Sequence, residues 1–312
     1  MIDVIRYSAR DKENWDKFVQ ESKNGTFLFY RNYMEYHVER FTDHSLLFYR
    51  KGKLVALLPA NETGREMCTH GGLTYGGIVT GTSMKVEVML EVFEAMRLYL
   101  QQQGFLLLKY KTVPHIYHQV PAEEDLYALF HNDARLYRRD VYAAVELAQP
   151  LPYSRTRRWE VKKAKEGQLA VQRSYEFNLF MHLEQELLLE KYKAAPVHTA
   201  EEMTWLASLF PAHIKLYTAS AEETMLAGII IYETTTVAHC QYIGTTTYGR
   251  EIAALDVLLD WLLTEVYRQK KYFSFGASMD PKSSSGLHHS LLRNKESYGA
   301  RAIVQDFYEL AL

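Results

Sequence analysis

Cysteine is nearly absent from this sequence, since only Cys68 and Cys240 occur among its 312 residues. Both lie in apolar segments with the composition of β-strands. Two such thiols do not make the dense disulfide framework of small secreted domains. We therefore expect buried, reduced thiols in a cytoplasmic protein.

The sequence also lacks a long hydrophobic run. No apolar segment approaches the ~20 residues that a helix needs to cross a bilayer. The N-terminal segment MIDVIRYSARDKENW contains no apolar signal core. We expect no transmembrane segment and a cytoplasmic location, with the inner face of the membrane as the alternative.

Excess charge of either sign is missing as well. The net charge is −2, from 36 Lys and Arg against 38 Asp and Glu. A chain so balanced has no global field for duplex DNA, so any anion site must be a local patch. The motifs CxxC, HExxH and GxSxG do not occur. Metal chemistry and a Ser triad are therefore disfavoured, and no metal site is expected.

What the sequence does contain is an internal repeat. CTHGGLTYGG (residues 68–77) and CQYIGTTTYG (residues 240–249) align without gaps on Cys, Gly, Thr and Gly. Both copies follow a strand–turn–strand pattern, and both precede a run with apolar residues three and four apart, which predicts an amphipathic helix. A short apolar strand ends each copy. The repeat predicts two similar halves.

The predicted fold class is therefore α/β (α+β), with two domains that each contain a mixed, mostly antiparallel sheet flanked by helices. The segment AQPLPYS (residues 148–154) has two prolines and no periodicity, which is typical of a linker. We place the domains at residues 1–150 and 151–312. Thr199, followed by Glu201 and Glu202, is a predicted helix N-cap.

The second copy of the repeat has the shape of a phosphate-binding turn, because a strand leads through it into a long helix that reaches Val266. Only Gly244 and Gly249 mark this turn, without a standard Gly-rich spacing. Glu251 at the helix start would repel a phosphate, although Arg250 could offset it. We expect a turn that keeps the architecture but little of the anion-binding chemistry.

Several stretches resemble the FemABX-like acyltransferases, which contain two tandem GNAT-type domains. They span most of the chain in the family's order, and they include THGGLTYGGIV (residues 69–79), RRWEVKKAKEG (157–167), AHCQYIG (238–244) and LLRNKESYGARAIVQDFYEL (291–310). The resemblance implies N-acyl transfer from an activated donor to an amine, in cell-wall or surface-polymer biosynthesis. The family's coiled-coil arm, which interacts with tRNA in some members, is missing here.

The resemblance implies no bound cofactor, and it leaves the co-substrate open between acyl-CoA and aminoacyl-tRNA. The acceptor would be the amine of a small molecule or of a cell-wall precursor. Two alternatives remain at this stage. One is an acetyl-CoA-dependent N-acetyltransferase of an amino sugar, and the other is a GNAT scaffold that binds a phosphorylated ligand without catalysis.

Lys295 is the first candidate catalytic residue that the resemblance implies. In relatives the lysine of this motif stabilises the charge that develops on the attacked carbonyl, and such a contact contributes on the order of 3 kcal/mol. The alternative is a surface lysine paired with Glu296 or Glu309. Arg301 adds positive charge nearby and is a candidate substrate-binding residue.

The strand AHCQYIG supplies three further candidates. Strand alternation puts His239 and Gln241 on one face, and Cys240 and Tyr242 on the other. His239 and Gln241 are candidate catalytic residues that orient or deprotonate an amine, and Tyr242 is a candidate substrate contact. Asp256 is a candidate partner of His239, or else it favours the helix dipole. Polar groups satisfied inside the fold are the alternative for all of them.

His70 and Tyr75 lie in the glycine-rich first copy, where closely approaching backbone favours either a ligand or tight packing. We take both as candidate substrate contacts. Arg158 and Lys162 belong to the one basic stripe of the chain, RTRRWEVKKAK (residues 155–165). Such a stripe suits phosphate groups, of a nucleotide, a tRNA or a lipid head, and a solvated helix face is the alternative.

Overall fold

The computed structural model describes residues 1–167 and 169–312. The chain divides into two compact units. Unit 1 contains Met1–Asp140 and Val304–Leu312, and unit 2 contains Val141–Ile303. The second unit thus begins before the proline-containing linker, and the last residues of the chain return to the first unit. No sequence signal indicated that return.

The elements are numbered in chain order. The described helices are α1 (Lys12–Glu21), α2 (Arg31–Met34), α3 (Val86–Gln102), α4 (Glu124–His131), α5 (Arg155–Lys165), α6 (Phe177–Tyr192), α7 (Ala200–Leu209), α8 (Thr247–Glu251), α9 (Ala254–Trp261) and α10 (His289–Glu296). The described strands are β1 (Ile2–Arg6), β2 (Thr42–Asp43), β3 (Leu46–Arg50), β4 (Lys53–Leu58), β5 (Asn61–Thr63), β6 (Glu66–Cys68), β7 (Val79–Thr80), β8 (Leu107–Lys111), β9 (Arg135–Glu146), β10 (Ala170–Ser174), β11 (Ile214–Ala221), β12 (Thr224–Glu233), β13 (Val237–Thr245), β14 (Tyr272–Ala277) and β15 (Arg301–Ala311).

Unit 1 contains strands in the orders β1-β3-β4-β7 and β15-β8-β6-β5-β2. Its paired strands are antiparallel except for β6 and β8, which run parallel. Helix α3 buries Phe93, Met96 and Leu100 in the hydrophobic core of this unit. These residues repeat at the helical spacing that the sequence pattern predicted.

Unit 2 contains strands in the order β10-β11-β12-β13-β14-β9. Strand β12 is buried along almost its whole length because helices cover both of its faces. Ile229 and Ile231 pack in one core cluster with Leu258 of α9. Gly228, which alternates with them, lies against Phe180 of α6, whose ring would be 2.4 Å from a Cβ at this position.

The mixed, mostly antiparallel sheets with flanking helices confirm the predicted fold class. Each unit also contains one parallel strand pair joined through a helix, β6/β8 across α3 and β13/β14 across α9. This is the strand–helix–strand order of the predicted repeat. Thr199 caps α7 as expected, since its hydroxyl accepts the backbone N–H of Glu202.

The long helix predicted up to Val266 is interrupted. Helix α8 ends at Glu251, and Ala253 has a left-handed backbone with φ of 56°. Helix α9 then runs to Trp261 and continues as a π-helical turn over Leu262–Val266. Apolar spacing alone could not reveal these breaks, because the periodicity continues across them. No helix in the described part of the chain is long and apolar enough to span a bilayer.

Candidate active site

The candidate site lies in unit 2, where two parallel strands separate. β13 and β14 pair from Val237↔Tyr272 to His239↔Ser274 and no further. β13 continues to Thr245 and β14 to Ala277, so the two strands diverge towards their carboxyl ends. Ligands of α/β sheets commonly bind at such openings.

A cavity of about 570 Å³ occupies this opening. Its apolar wall comes from both strands and from α6, α9 and α10, and consists of Leu187, Leu188, Ile243, Leu255, Leu259, Phe275 and Leu291. The polar groups around it are Glu184, Glu190, Thr245, Arg250, Asn294 and Lys295. A largely apolar pocket with a few polar groups is the usual form of a small-molecule site.

Lys295 of α10 is buried, with 5% of its surface exposed. Its Nζ donates to the carbonyl oxygens of Gly276 at 3.0 Å and Ala277 at 2.7 Å. An ammonium has three donors, so one remains for a ligand in the cavity. Burial lowers the pKa of Lys295 to about 8. The surface pairing with Glu296 or Glu309, which the sequence left open, is not formed.

The carbonyls that hold Lys295 are available because β14 is irregular there. Its pairing with β9 shifts between Ser274 and Ala277. Gly276 in this shift has φ of 74°, a left-handed conformation that favours glycine. A Cβ at Gly276 would also lie only 3.4 Å from Cε1 of His239. The irregularity therefore turns two strand carbonyls towards the lysine.

His239 is buried beside this irregularity, and its Nδ1 lies 3.1 Å from the Ser274 hydroxyl. Burial, and secondarily the charge of Lys295, lower the pKa of His239 to about 4. The imidazole is therefore neutral at neutral pH and a weak base. Neither His239 nor Gln241 lines the cavity around Lys295.

The predicted alternation along β13 is wrong beyond His239. Ile231 pairs with Cys240 and Ile230 pairs with Tyr242, so Gln241 is an extra residue in a β-bulge. Cys240 consequently packs in the core cluster that contains α9. Tyr242 lies on the other face, where its hydroxyl is 2.7 Å from Nδ1 of His198.

Glu184 of α6 is a functional candidate that the sequence reasoning missed. It is 7% exposed and lines the cavity with Lys295. Its Oε2 has no hydrogen-bond partner among the described residues. The signal was present in the sequence, because Glu184 occupies the apolar stripe of its helix, at spacings of four and three from Phe180 and Met181.

Asp256 does not pair with His239, which was one of the two alternatives given for it. Its carboxylate accepts from the Arg157 guanidinium and from the Tyr298 hydroxyl. Arg157 also donates to Asn294 at 2.5 Å. The reason is local, since α5 packs beside α9 and places Arg157 over the first turn of that helix. Arg157 thus connects α5 and α9 with α10, the helix that carries Lys295.

The predicted basic substrate contacts lie on the surface of unit 2. Arg158 and Lys162 are exposed on α5, and Arg301 is exposed at the start of β15. None of the three lines the cavity around Lys295. Their assignment to substrate binding therefore stays a prediction.

His70 and Tyr75 are both buried within unit 1, each with 2% of its surface exposed. The Tyr75 hydroxyl donates to Thr26 at 2.9 Å, and its ring lies 4.3 Å from that of Tyr117. Within unit 1 both residues are therefore tightly packed, which is the alternative that the sequence analysis gave for this glycine-rich segment.

The turn after β13 has little capacity left for an anion. The hydroxyl of Thr246 already accepts the Gly249 N–H at 2.9 Å. A Cβ at Gly249 would lie 2.4 Å from the Leu226 carbonyl oxygen. The glycine therefore permits close backbone packing. Fewer backbone N–H groups remain free to bind a phosphate.

The chain matches no protein-family model and no curated protein sequence. Its fold does match solved structures. FemX has a TM-score of 0.68 at 10% identity, with 99% of this chain and 97% of FemX covered. The C-terminal domain of a lysylphosphatidylglycerol synthetase from Agrobacterium fabrum has a TM-score of 0.61 at 11% identity, with 97% and 92% covered.

The protein L-PGS from Bacillus licheniformis has a TM-score of 0.59 at 13% identity, with 95% of this chain and 90% of that protein covered. At these identities the likeness concerns the fold. The chain therefore has the tandem GNAT-type fold of FemX, which is the fold that the FemABX-like resemblance predicted.

Proposed function

We propose that this protein is an N-acyltransferase that moves an acyl or aminoacyl group from an activated donor to an amine. The observation that carries the proposal is Lys295, a buried ammonium that retains a free donor in an apolar cavity. In such a water-poor site a fixed positive charge stabilises the oxyanion that forms when an amine attacks a carbonyl. The fold supports this reading, because it is shared with FemX and is the fold that the resemblance to the FemABX-like acyltransferases implies.

The donor carbonyl would lie in the cavity with its oxygen towards Nζ of Lys295. Attack by the amine then forms a tetrahedral intermediate, whose negative oxygen accepts the remaining lysine donor. The apolar wall formed by residues such as Phe275 and Leu291 excludes water, which strengthens this contact and limits hydrolysis of the donor.

For the donor we favour an aminoacyl-tRNA-like ester over acetyl-CoA. The Thr246 hydroxyl and the Leu226 carbonyl occupy the turn where a GNAT-type enzyme would be expected to hold a pyrophosphate. One of the proteins with this fold is named as a lysylphosphatidylglycerol synthetase, which favours an aminoacyl group over an acetyl group. We assign the reaction to cell-wall or surface-polymer biosynthesis, with a precursor amine as acceptor and a location on the cytoplasmic side of the membrane.

Thermal-shift measurements with acetyl-CoA and with aminoacyl-tRNA test the donor. At about 100 times Kd a ligand stabilises the folded state by about 2.7 kcal/mol, which raises Tm by several degrees. We expect the shift with aminoacyl-tRNA and only a small one with acetyl-CoA. A shift with acetyl-CoA alone would support the amino-sugar acetyltransferase instead.

Mass spectrometry of the same mixtures with a panel of amines tests the reaction itself. The proposal predicts an amide whose mass equals the amine plus the carboxylic acid of the acyl group minus one water. If the stabilising donor yields no amide with any amine, the protein is better described as a binding module.

A further inference from the structure

A buried carboxyl group shares the cavity with the lysine and has no role so far. Glu184 belongs to α6 and Lys295 to α10, and both residues line the same cavity. Only 7% of the Glu184 residue surface is exposed. A carboxyl group in such a place costs free energy unless it is hydrogen-bonded or performs a function.

The fold leaves room for this carboxyl group without satisfying it. Gly244 of β13 faces α6, and a Cβ there would lie 3.0 Å from Oε2 of Glu184. A side chain at Gly244 would therefore crowd the carboxyl oxygen. Yet Oε2 makes no hydrogen bond with any described residue. The carboxyl group is thus accommodated, buried and available at the cavity.

We propose that Glu184 is the general base of the reaction and that it receives the acceptor as a primary amine at the α6 side of the cavity. This inference rests on the proposed acyl transfer. The amine nitrogen forms a bond to the carbonyl carbon, and the bond from that carbon to the donor's oxygen or sulfur breaks. One amine proton passes to the Glu184 carboxylate and from there to the departing oxygen or sulfur.

The electrostatics of the site agree with this role. Burial raises the pKa of Glu184 to about 7, and a base with a pKa near the working pH is the most effective. His239 is a poorer base, because its pKa is lowered to about 4. Lys295 cannot serve, because the oxyanion needs its charge. Glu184 is therefore the better candidate base, because it is buried at the cavity and its Oε2 atom, unpaired among the described residues, is free to accept a proton.

Glu184→Gln tests the proposal, with Glu186→Gln as the matched control, an exposed residue of the same helix. The neutral amide keeps the shape of the side chain but accepts no proton. We expect kcat for amide formation to fall by about 10²–10³-fold, with donor binding retained. The control should keep the wild-type rate.

The pH profile provides a readout that a purely structural role would not change. Wild-type kcat should rise with pH through a midpoint near 7, as Glu184 loses its proton. Glu184→Gln should lose this limb, and Glu184→Asp should retain part of the rate and the limb. The raised pKa also means that wild-type stability falls as pH rises from 4.5 to about 7. Glu184→Gln should remove that fall and have a higher Tm at pH 8.

The outcomes separate the two proposals. If Glu184→Gln forms amide at the wild-type rate with an unchanged pH profile, Glu184 is not the base, and acyl transfer itself stands. If the wild type forms no amide with a donor that it binds, the proposed function fails and the assignment of Glu184 fails with it. Loss of donor binding by Glu184→Gln would also overturn the assignment, because it would place Glu184 in donor recognition.

Discussion

Replacing Lys295 by methionine is expected to lower kcat for amide formation by about 10²–10³-fold, while donor binding changes little. Methionine preserves the volume of the buried stem but removes the ammonium that would meet the oxyanion. The contact is made in the transition state and hardly in the ground state, so kcat should fall far more than the affinity for the donor. Steady-state kinetics with the identified donor and amine measure this directly.

The pH dependence of the wild type should report the same group. Because burial lowers the pKa of Lys295 to about 8, the ammonium loses its proton as pH rises through that value, and kcat should fall there. Lys295→Met should lack this alkaline limb. Lys17→Met, at an exposed position on α1, is the control and should match the wild type. A Lys295→Met protein with near-wild-type kcat would remove Lys295 from the reaction.

Replacing Arg157 by methionine is expected to reduce the free energy of unfolding by about 3 kcal/mol. The guanidinium is 12% exposed and pairs with Asp256, which is 15% exposed. It also donates to Asn294 at 2.5 Å and to Ser297 at 3.0 Å, and it lies 4.4 Å above the Tyr298 ring. The substitution would leave a half-buried carboxylate without its cation.

Urea denaturation of Arg157→Met, Asp256→Asn and the double variant measures the coupling in a double-mutant cycle. We expect the double variant to be less destabilised than the sum of the single ones. Arg158→Met, a neighbouring exposed position, should change stability by less than about 0.5 kcal/mol. Additive effects of Arg157→Met and Asp256→Asn would show that the pair does not connect α5 with α9.

Activity should respond to Arg157 as well, although the side chain does not line the cavity around Lys295. Arg157 holds Asn294, the residue next to Lys295 on α10. Loss of that contact would loosen the helix that positions the lysine, and small displacements of a catalytic group have large effects on rate. Arg157 is therefore a positioning residue in this account.

The fold followed from the sequence because its signals are periodic and local. Apolar spacing placed α3, and the hydroxyl of Thr199 caps α7 as its sequence context predicts. The helix interruption at Ala253 was not visible, since one residue in a left-handed conformation leaves the apolar spacing intact. Lys295 was found through a resemblance, and burial of a lysine cannot be read from its neighbours in sequence.

The site itself was harder to predict, and two residues show why. Gln241 is the extra residue of a β-bulge, and one inserted residue exchanges the faces of everything after it. Cys240 and Tyr242 therefore lie on opposite faces of the strand, whereas simple alternation puts them on the same face. Glu184 was overlooked because a carboxylate within a helix is usually solvated, and only its position in the apolar stripe indicated burial.

The central claim, that the donor's reactive end lies at Lys295, is tested most directly by protection of that side chain from acylation. The protein is treated at pH 8.5 with a small amine-acylating reagent, with and without the donor that stabilises it, and modified lysines are located by peptide mass spectrometry. At about 100 times Kd almost all of the protein is bound, so labelling of Lys295 should fall at least ~10-fold while exposed Lys17 is unaffected. Unchanged labelling of Lys295 in the donor-bound protein would contradict the account.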